Sequence, residues 1–479
     1  MPVADHFKGP ATSLDDQMES YAVDRVPTNQ RWPSMAILLV LTGNVTAMFF
    51  FSLGAQFSFL VGFPGALLPI AYMVVGATVL GSLIMRIASK EGLNMVLLSR
   101  GLGFGAKGSA VASLVYGVNY IFYFLFEGSI VSHALSQYFG IGISSPTSTV
   151  VFALVGAMAL AFAWRGMHSM NILQRFGMPI FLILFIIGMI MLAQGYTLVG
   201  PGQWVATNPG DSTAMWQALS LANGQIVFQA LMATDYGRFT RPSIGYRGTG
   251  RIVLTELLMI SVVMVFGMLI SYTLLPSLTG SDAAVLATDP GFLFASFMGL
   301  TGVLFTVVTQ IRINVMNLYS GSLAFANTWD ALVKRRVRRN WWMVGLLVIG
   351  IVLYPINILQ YTATFQSVTG IMTNTWIFIL LADYYVCRKG LRLAPVDRIE
   401  YREGLVRNWN PCGLIAMGVA IAVGGLGVAG IYPYYYASFL AMAIGPVLHV
   451  ALTLLTRGRY YSLPGADAAT QRPLLADRS

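Results

Sequence analysis

The sequence is poor in charged residues and in the residue types that hold metals or form disulfides. Of its 479 residues only 10% are charged, and it has two cysteines and four histidines. Cys387 and Cys412 do not make a disulfide framework, and no Cys/His cluster has the spacing of metal ligands. The first 34 residues are polar, with no apolar core before a cleavage site, so no signal peptide is indicated. We therefore expect no metal, no cofactor and no obligate protein partner.

Apolar residues, in contrast, make up 56% of the chain. Apolar stretches of about 20 residues recur along it, which is the length that crosses the hydrocarbon core of a bilayer as a helix. This pattern predicts an all-α polytopic membrane protein with the lipid bilayer as its surroundings. The twelve predicted spans are residues 35–60, 66–86, 108–137, 148–164, 177–197, 214–235, 252–275, 291–322, 341–360, 366–386, 412–431 and 433–455.

The net charge of +10 would suit a nucleic-acid partner, but its distribution argues against one. With these spans, every Lys and Arg except Arg312 falls on one side of the membrane, whereas the loops on the other side carry only Asp211, Asp282 and Asp289. Basic loops stay in the cytoplasm. We therefore expect an inner or plasma membrane location with both termini cytoplasmic, and no nucleic-acid partner.

Corresponding anomalies recur five spans apart. Spans 1 and 6 are interrupted by glycine beside amides, at Gly43-Asn44 and Asn223-Gly224-Gln225, and spans 3 and 8 carry buried charge. Glycine in a span marks close helix packing or an unwound segment, and five spans per repeat would make the second repeat inverted. The predicted units are a cytoplasmic tail (1–34), a first repeat (35–197), a second repeat (198–390), a basic cytoplasmic loop (391–411), two further spans (412–456) and a cytoplasmic tail (457–479).

Arg312 lies well inside the apolar residues of predicted span 8. A guanidinium does not escape burial by losing its proton, and a charge at the bilayer centre costs at least roughly 2.5–3.5 kcal/mol. Such a residue faces other helices or a water-filled cavity. It is either functional or a packing arginine that ties two helices together.

Glu127 is the second charge deep within the predicted spans. Asn119, Tyr123 and Glu127 stand at i, i+4 and i+8, which places them on one stripe of span 3. A carboxyl there is either neutral through proton uptake or ionised against a cation. The alternative is a protonated acid that only hydrogen-bonds a neighbouring helix.

Other polar residues sit nearer the ends of their spans. Asp235 and Arg238, at i and i+3 after span 6, can pair in a structural or gating role, and Asp383 closes span 10 at the same face. Glu256 follows Arg251 by five residues in span 7, and an interfacial pairing of the two is expected.

Four segments together resemble the nucleobase–cation symporter-1 family, which includes cytosine, purine, uracil, allantoin and hydantoin permeases. The segments are residues 103–109 (GFGAKGS), 234–239 (TDYGRF), 317–327 (NLYSGSLAFAN) and 382–385 (ADYY). The resemblance covers about spans 1 to 10. It implies a leucine-transporter-like fold, a 5+5 inverted repeat followed by two C-terminal helices. It also implies a substrate site between spans 1, 3, 6 and 8, and cation-coupled uptake.

The resemblance also assigns substrate contacts. The family's stacking aromatic on span 3 matches Tyr123, and its polar contact one turn later, commonly glutamine, matches Glu127. The aromatic-and-amide wall of span 6 matches Gln225, Phe228 and Gln229, and the amide of span 8 matches Asn314. A flat heteroaromatic ring needs this combination of an aromatic face with amides or carboxylates at its edge.

The sequence departs from the family pattern at the cation site. Sodium-using relatives bind the ion with carbonyls of span 1, here near Gly43 and Thr46, and with hydroxyl residues of span 8, here Thr309, Arg312 and Ile313. A guanidinium offers sodium no oxygen ligand. We hypothesise that Arg312 replaces sodium with a fixed positive charge.

Glu127 then becomes the candidate for a coupling proton, as the deep carboxylate of the core. It could alternatively bind the N–H groups of the substrate, and a permanent pair of Glu127 with Arg312 would instead favour uniport or antiport. The predicted function is sodium-independent, proton-coupled import of a nucleobase or related small heterocycle. Alternatives are an allantoin, hydantoin or thiamine-like substrate, a uniporter, and a receptor or channel. A membrane-embedded enzyme is disfavoured because no nucleophile–base set or metal cluster lies at one depth.

Overall fold

The computed structural model describes residues 24–165, 167–280, 282–333 and 337–461, and these ranges are mostly helical. Pairing of extended backbone within them is confined to two isolated bridges. The predicted tail residues 1–23 and 462–479 lie outside the described residues.

The helices follow one another along the whole described chain. They are α1 (Ser34–Val45), α2 (Met48–Glu91), α3 (Met95–Ser99), α4 (Ser109–Tyr138), α5 (Pro146–Trp164), α6 (Met167–Gly195), α7 (Ala214–Gly237), α8 (Gly245–Leu274), α9 (Ala283–Leu286), α10 (Pro290–Met298), α11 (Leu300–Val333), α12 (Arg339–Leu353), α13 (Thr362–Leu381), α14 (Pro411–Val428) and α15 (Ala437–Leu455). A π-helical turn, Arg100–Phe104, follows α3, and a π-helical segment, Ala382–Gly390, continues α13.

Nine helices of the described chain are long and apolar enough to cross a membrane. One of them, α2, contains the end of predicted span 1 and all of predicted span 2, divided at the non-helical Gly62. The helices α7 and α11 are absent from the nine, and both carry many buried polar residues in their middle turns. The number twelve therefore stays a prediction, whereas an all-helical membrane fold is confirmed.

Predicted span 1 is broken. Helix α1 ends at Val45, Thr46 and Ala47 leave helical geometry, and α2 begins at Met48. A break leaves carbonyl groups without helical partners at the end of α1 and N–H groups without them at the start of α2. Gly43 thus indicated an unwound segment, which lies a few residues after this glycine.

The corresponding interruption expected in span 6 is wrong. Helix α7 runs without a break from Ala214 to Gly237. A Cβ added at Gly224 would lie 2.4 Å from the backbone oxygen of Gln366, so this glycine lets α7 and α13 approach closely. The neighbouring Asn223 donates to Ser438 Oγ at 3.0 Å, so the amides here bind side chains and no unwound backbone is needed.

Predicted span 8 does not begin at residue 291. The apolar run is split at Gly299, whose φ of +58° permits a sharp turn between α10 and α11. Asp289 starts the short helix α10 by accepting from the backbone N–H of Phe292 at 3.1 Å, and Pro290 follows at its first turn. The long helix α11 then begins at Leu300.

The connections that carry basic residues contact one another at one end of the molecule, here called the basic face. Arg86 donates to Pro242 O at 2.6 Å, Lys90 to Val396 O at 3.0 Å, and Arg388 to Gly101 O at 2.6 Å. Three separate stretches of sequence therefore meet there.

Two groups of helices frame the interior. Helix α2 packs most extensively on α7 and α8, whereas α4 packs most extensively on α11, with α5 and α12 beside them. Between the groups lies the break of predicted span 1.

The contact of α2 with α8 depends on two glycines. A Cβ at Gly54 would lie 2.2 Å from Met264 O, and one at Gly267 would lie 2.2 Å from Phe51 O. Backbone atoms cannot move aside as a flexible side chain can, so these helices touch backbone to backbone.

We predict that Gly267→Ala destabilises the protein by about 1–3 kcal/mol, because the added methyl group forces α2 and α8 apart. Thermal unfolding of the purified protein in detergent measures the effect. Gly345→Ala is the matched control, since a Cβ at Gly345 on α12 meets nothing within 4 Å. Equal melting temperatures for the two variants would contradict the close contact.

Candidate substrate-binding site

A cavity of about 710 Å³ lies between α1, the start of α2, α4, α7 and α11. Its lining extends to the basic face, where Asn94, Arg238 and Asn327 contribute to it. Its inner end is formed by Phe49, Phe50 and the side chains around Glu127. The cavity thus reaches from the basic face to the break of predicted span 1.

Tyr123 forms the centre of an aromatic wall in this cavity. Its ring centroid lies 4.4 Å from that of Phe228 and 5.6 Å from that of Phe49. Gln225 fixes the phenol by donating to its hydroxyl oxygen at 2.7 Å. Tyr123, Gln225 and Phe228, which the sequence assigned to the substrate, therefore lie together on the cavity wall.

The carboxyl group of Glu127, a residue of α4, lies beside the N-terminal end of α2. The backbone N–H of Phe49 donates to its carboxyl group. With its amide oriented to satisfy both neighbours, Gln310 also donates to Glu127 and accepts from the backbone N–H of Met48 at 2.9 Å. The positive end of a helix and an amide N–H both stabilise a carboxylate, so the unwound start of α2 holds Glu127 in place.

Arg312 lies at the other side of the same break. Its guanidinium donates to Thr46 Oγ1, and Thr46 Oγ1 donates to Gly43 O at 3.0 Å. Only 1% of Arg312 is exposed, and a Cβ at Gly177 on α6 would lie 3.3 Å from its Cδ. The C-terminal end of α1 is the negative end of that helix, so it favours a cation in this position.

Glu127 and Arg312 form no ion pair with each other in the described part of the chain. Each instead meets one end of the broken helix, Glu127 the start of α2 and Arg312 the end of α1. The direct pair left open by the sequence is therefore not formed in this structure. The broken backbone lies between the two charges.

Three residues that the sequence assigned to the substrate do not line the cavity: Asn119, Gln229 and Asn314. Asn119 donates to Val115 O of its own helix, and Asn314 lies beside Gly128. Positions four apart on an α-helix drift by about 40°, so residues at i and i+8 no longer share a face. On α11 the residue that lines the cavity is Asn317, one turn after Asn314.

Thr309, expected beside the cation position, donates to Phe305 O of its own helix at 2.7 Å. Gly43 lines the cavity, and Thr46 contacts Arg312. Thr46 and Arg312 therefore meet as expected, whereas the hydroxyl of Thr309 is turned to its own backbone.

Glu256 does not form the pair with Arg251 that the sequence predicted. It lies about three turns into α8 and is 1% exposed, whereas Arg251 points outward and is exposed. Its Oε1 accepts from Asn44 Nδ2 at 3.2 Å. Glu127 is therefore not the only deep carboxyl group. No sequence signal paired Glu256 with α1, since their contact spans more than 200 residues.

The residues expected in structural or gating roles lie near the basic face. Asp235 accepts from Met95 N at 3.1 Å and Tyr116 Oη at 2.8 Å, and Arg238 is close enough to attract it electrostatically. Both line the cavity. Their role as a gate stays a prediction.

Asp383 is fully buried and joins the end of α13 to α15. It accepts from Arg388 Nε at 2.8 Å, contacts His449 Nε2 at 3.1 Å and accepts from Tyr461 Oη at 2.6 Å. These contacts are those of a structural link between the end of α13 and the last helix, α15, with Tyr461 after it.

A family model described as "permease for cytosine/purines, uracil, thiamine, allantoin" matches residues 27–446. The chain belongs to this family of permeases. Its family and fold are those of transporters and not of enzymes. No curated protein matches the chain.

Solved structures match the permease over nearly its full length. Mhp1, a nucleobase-cation-symport-1 family transporter in a closed conformation with bromovinylhydantoin bound, is 17% identical with a TM-score of 0.69, covering 94% of this chain and 97% of that one. The inward-facing conformation of Mhp1 is 16% identical with the same TM-score of 0.69, covering 92% and 97%. A manganese transporter of Eremococcus coleocola is 13% identical with a TM-score of 0.51, covering 91% and 98%. These likenesses establish a leucine-transporter-like fold.

We predict that Glu127→Gln and Arg312→Gln act nearly independently on the stability of the permease. The two groups share no contact, so the double variant should show the sum of the single effects to within about 0.5 kcal/mol. Melting temperatures of the four proteins in detergent complete the cycle. A double variant more stable than either single variant would contradict the geometry, because it would reveal a buried ion pair.

Proposed function

We propose that this permease imports a nucleobase or a related small heterocycle by alternating access. The observation that supports the proposal most directly is the cavity itself. An aromatic wall formed by Tyr123 and Phe228 stands beside the carboxyl group of Glu127, at the break of predicted span 1. A flat ring can stack on the former while its edge N–H groups bind the latter.

The orientation of the proposed carrier follows from its charges. Basic loops remain in the cytoplasm, so the basic face is the cytoplasmic face and both termini lie there. The cavity, whose lining includes Asn94 and Asn327, is then open inward. We place the protein in the inner or plasma membrane.

The carboxylate favours one class of substrate. An ionised Glu127 only accepts hydrogen bonds, so it suits amino-bearing bases such as cytosine or adenine better than rings edged with carbonyl groups. A cationic substrate of the thiamine type is the second candidate, because the same carboxylate would neutralise it. Allantoin and hydantoin, which present more carbonyl groups, fit this end of the cavity less well.

Glu127→Gln tests this preference. We expect amino-bearing bases to bind about 10- to 100-fold more weakly, and dioxo rings such as uracil no more weakly than to the wild type, since the amide also donates. Thermal-shift titrations with cytosine, adenine, uracil, allantoin and thiamine measure both effects. Glu400→Gln, in a surface pair with Arg402, is the charge-matched control. Equal weakening for every ligand would contradict the assigned role.

The proposed coupling ion is a proton and not sodium. The guanidinium of Arg312 already occupies the negative end of α1 and offers no ligand to a metal ion. Buried carboxyl groups, with Glu127 as the candidate taken from the sequence, supply titratable sites in the interior. Uniport is the alternative if no ion gradient drives accumulation.

In proteoliposomes at clamped pH and membrane potential, we expect an inward sodium gradient to leave uptake of a bound base unchanged. An inward proton gradient should drive accumulation, up to about tenfold per pH unit for one proton per substrate. Marked stimulation by sodium would refute the role of Arg312. Counterflow without proton-driven accumulation would establish a uniporter.

A further inference from the structure

Glu256 is a buried carboxyl group that no proposed step has yet used. It lies on α8 with 1% of its surface exposed, and its observed partner is a neutral amide, Asn44 Nδ2 at 3.2 Å. No cation pairs with it among the residues that the structure describes. Burying an ionised carboxylate without a cation beside it costs much free energy, whereas burying the neutral, protonated carboxyl group costs far less.

Charged groups on the surrounding helices are engaged elsewhere. Helices α1 and α10 contain no ionisable side chain. The ionisable groups of α2 have their own partners, and those of α7 lie at its end near the basic face. The pairs are Tyr72 with Asn223, Arg86 with Pro242 O, Lys90 with Val396 O, Glu91 with Arg25, and Asp235 with Tyr116. On α8 itself Arg247 and Arg251 are exposed, Tyr246 contacts Tyr385, and Tyr272 donates to Val205 O.

A chain of amides connects Glu256 to the aromatic wall. Asn44 Nδ2 also donates to Gln229 Oε1 at 3.0 Å, and Gln229 Nε2 lies 3.4 Å from Gln225 Oε1. Gln225 in turn donates to the hydroxyl oxygen of Tyr123. Asn44 only donates in this chain, whereas Gln229 and Gln225 each accept with the oxygen and donate with the nitrogen, so turning over the first amide affects the orientation of the rest.

We propose that Glu256 is the group that binds the coupling proton, and that Asn44, Gln229 and Gln225 transmit its protonation state to the cavity. This inference rests on the proposed proton-coupled transport. The ionised carboxylate accepts from Asn44 Nδ2. On protonation, one proton adds to a carboxylate oxygen and no other covalent bond changes. The resulting O–H donates to Asn44 Oδ1, which requires the amide of Asn44 to turn over.

Protonation of Glu256 also affects a contact between two helices, because of the position of Asn44. Asn44 lies in the last turn of α1, lines the cavity, and connects α1 to α8 through Glu256. Protonation therefore changes both the donors that face the substrate and the link between the half-helix α1 and its support. Residues that act in this way are positioning residues for the substrate.

The two deep carboxyl groups thus divide the work. Glu127 lines the cavity and receives N–H donors from Phe49 and Gln310, so it is placed to bind substrate. Glu256 does not line the cavity and contacts it only through Asn44. The proton is bound on α8, away from the substrate.

Proton uptake on substrate binding is the direct test. Wild-type permease in weakly buffered detergent solution is titrated with cytosine, adenine, uracil, allantoin and thiamine, and a pH indicator records protons taken up. We expect uptake with the wild type and with Glu127→Gln for whichever probes bind, and none with Glu256→Gln. The affinity of Glu256→Gln should also be independent of pH where that of the wild type is not.

Transport measurements separate this inference from the proposed function. In proteoliposomes Glu256→Gln should keep counterflow, which shows that it is folded, and should lose accumulation driven by a proton gradient. Glu256→Asp, which keeps a titratable group, should retain some accumulation, and Glu400→Gln should behave as wild type. If Glu256→Gln does not fold, the proton uptake of Glu127→Gln still tests the assignment, because its loss while substrate binds would contradict the role of Glu256.

Two results would overturn the assignment. One is proton-driven accumulation by Glu256→Gln that equals that of the wild type. The other is loss of proton uptake in Glu127→Gln while substrate still binds. A wild-type protein that shows counterflow but accumulates none of the probes under a proton gradient would instead refute the proposed proton coupling, on which this inference rests.

Discussion

The interior of this permease depends on one interruption of helical hydrogen bonding, at Thr46 and Ala47. Breaking a helix in mid-membrane exposes carbonyl groups on one side and N–H groups on the other, and lipid satisfies neither. Arg312 meets the first set through Thr46, and Glu127 and Gln310 meet the second. Each of the two charges is thus stabilised at its own end of the break, Arg312 at the end of α1 and Glu127 at the start of α2.

This arrangement explains the positions of Glu127 on α4 and Arg312 on α11. Those helices pack on each other, and each of the two side chains reaches a different end of the broken span. The positive charge of Arg312 is part of the chain, so it lies at the end of α1 in every state in which the contact with Thr46 persists.

Much of this could be predicted from the sequence, because the free-energy cost of a charge in lipid is large and local. Arg312 and Glu127 stand out in apolar runs, and the four family segments lead to the correct family and fold. The neighbours of these residues could not be predicted in the same way. Whether Asn314 or Asn317 faces the cavity depends on helix rotation, and the roles of Gln310 and Glu256 depend on contacts between distant segments. The glycine in α7 shows the same ambiguity, since close packing and unwinding require the same residue.

The backbone contact of α2 with α8 at Gly54 and Gly267 has a consequence for movement. Helices that touch through backbone atoms cannot slide or roll past each other without separating, so α2 and α8 move as one rigid body. The half-helix α1 packs on α8 as well, but it continues into α2 only through two non-helical residues. Any bending between α1 and α2 is therefore concentrated at those two residues.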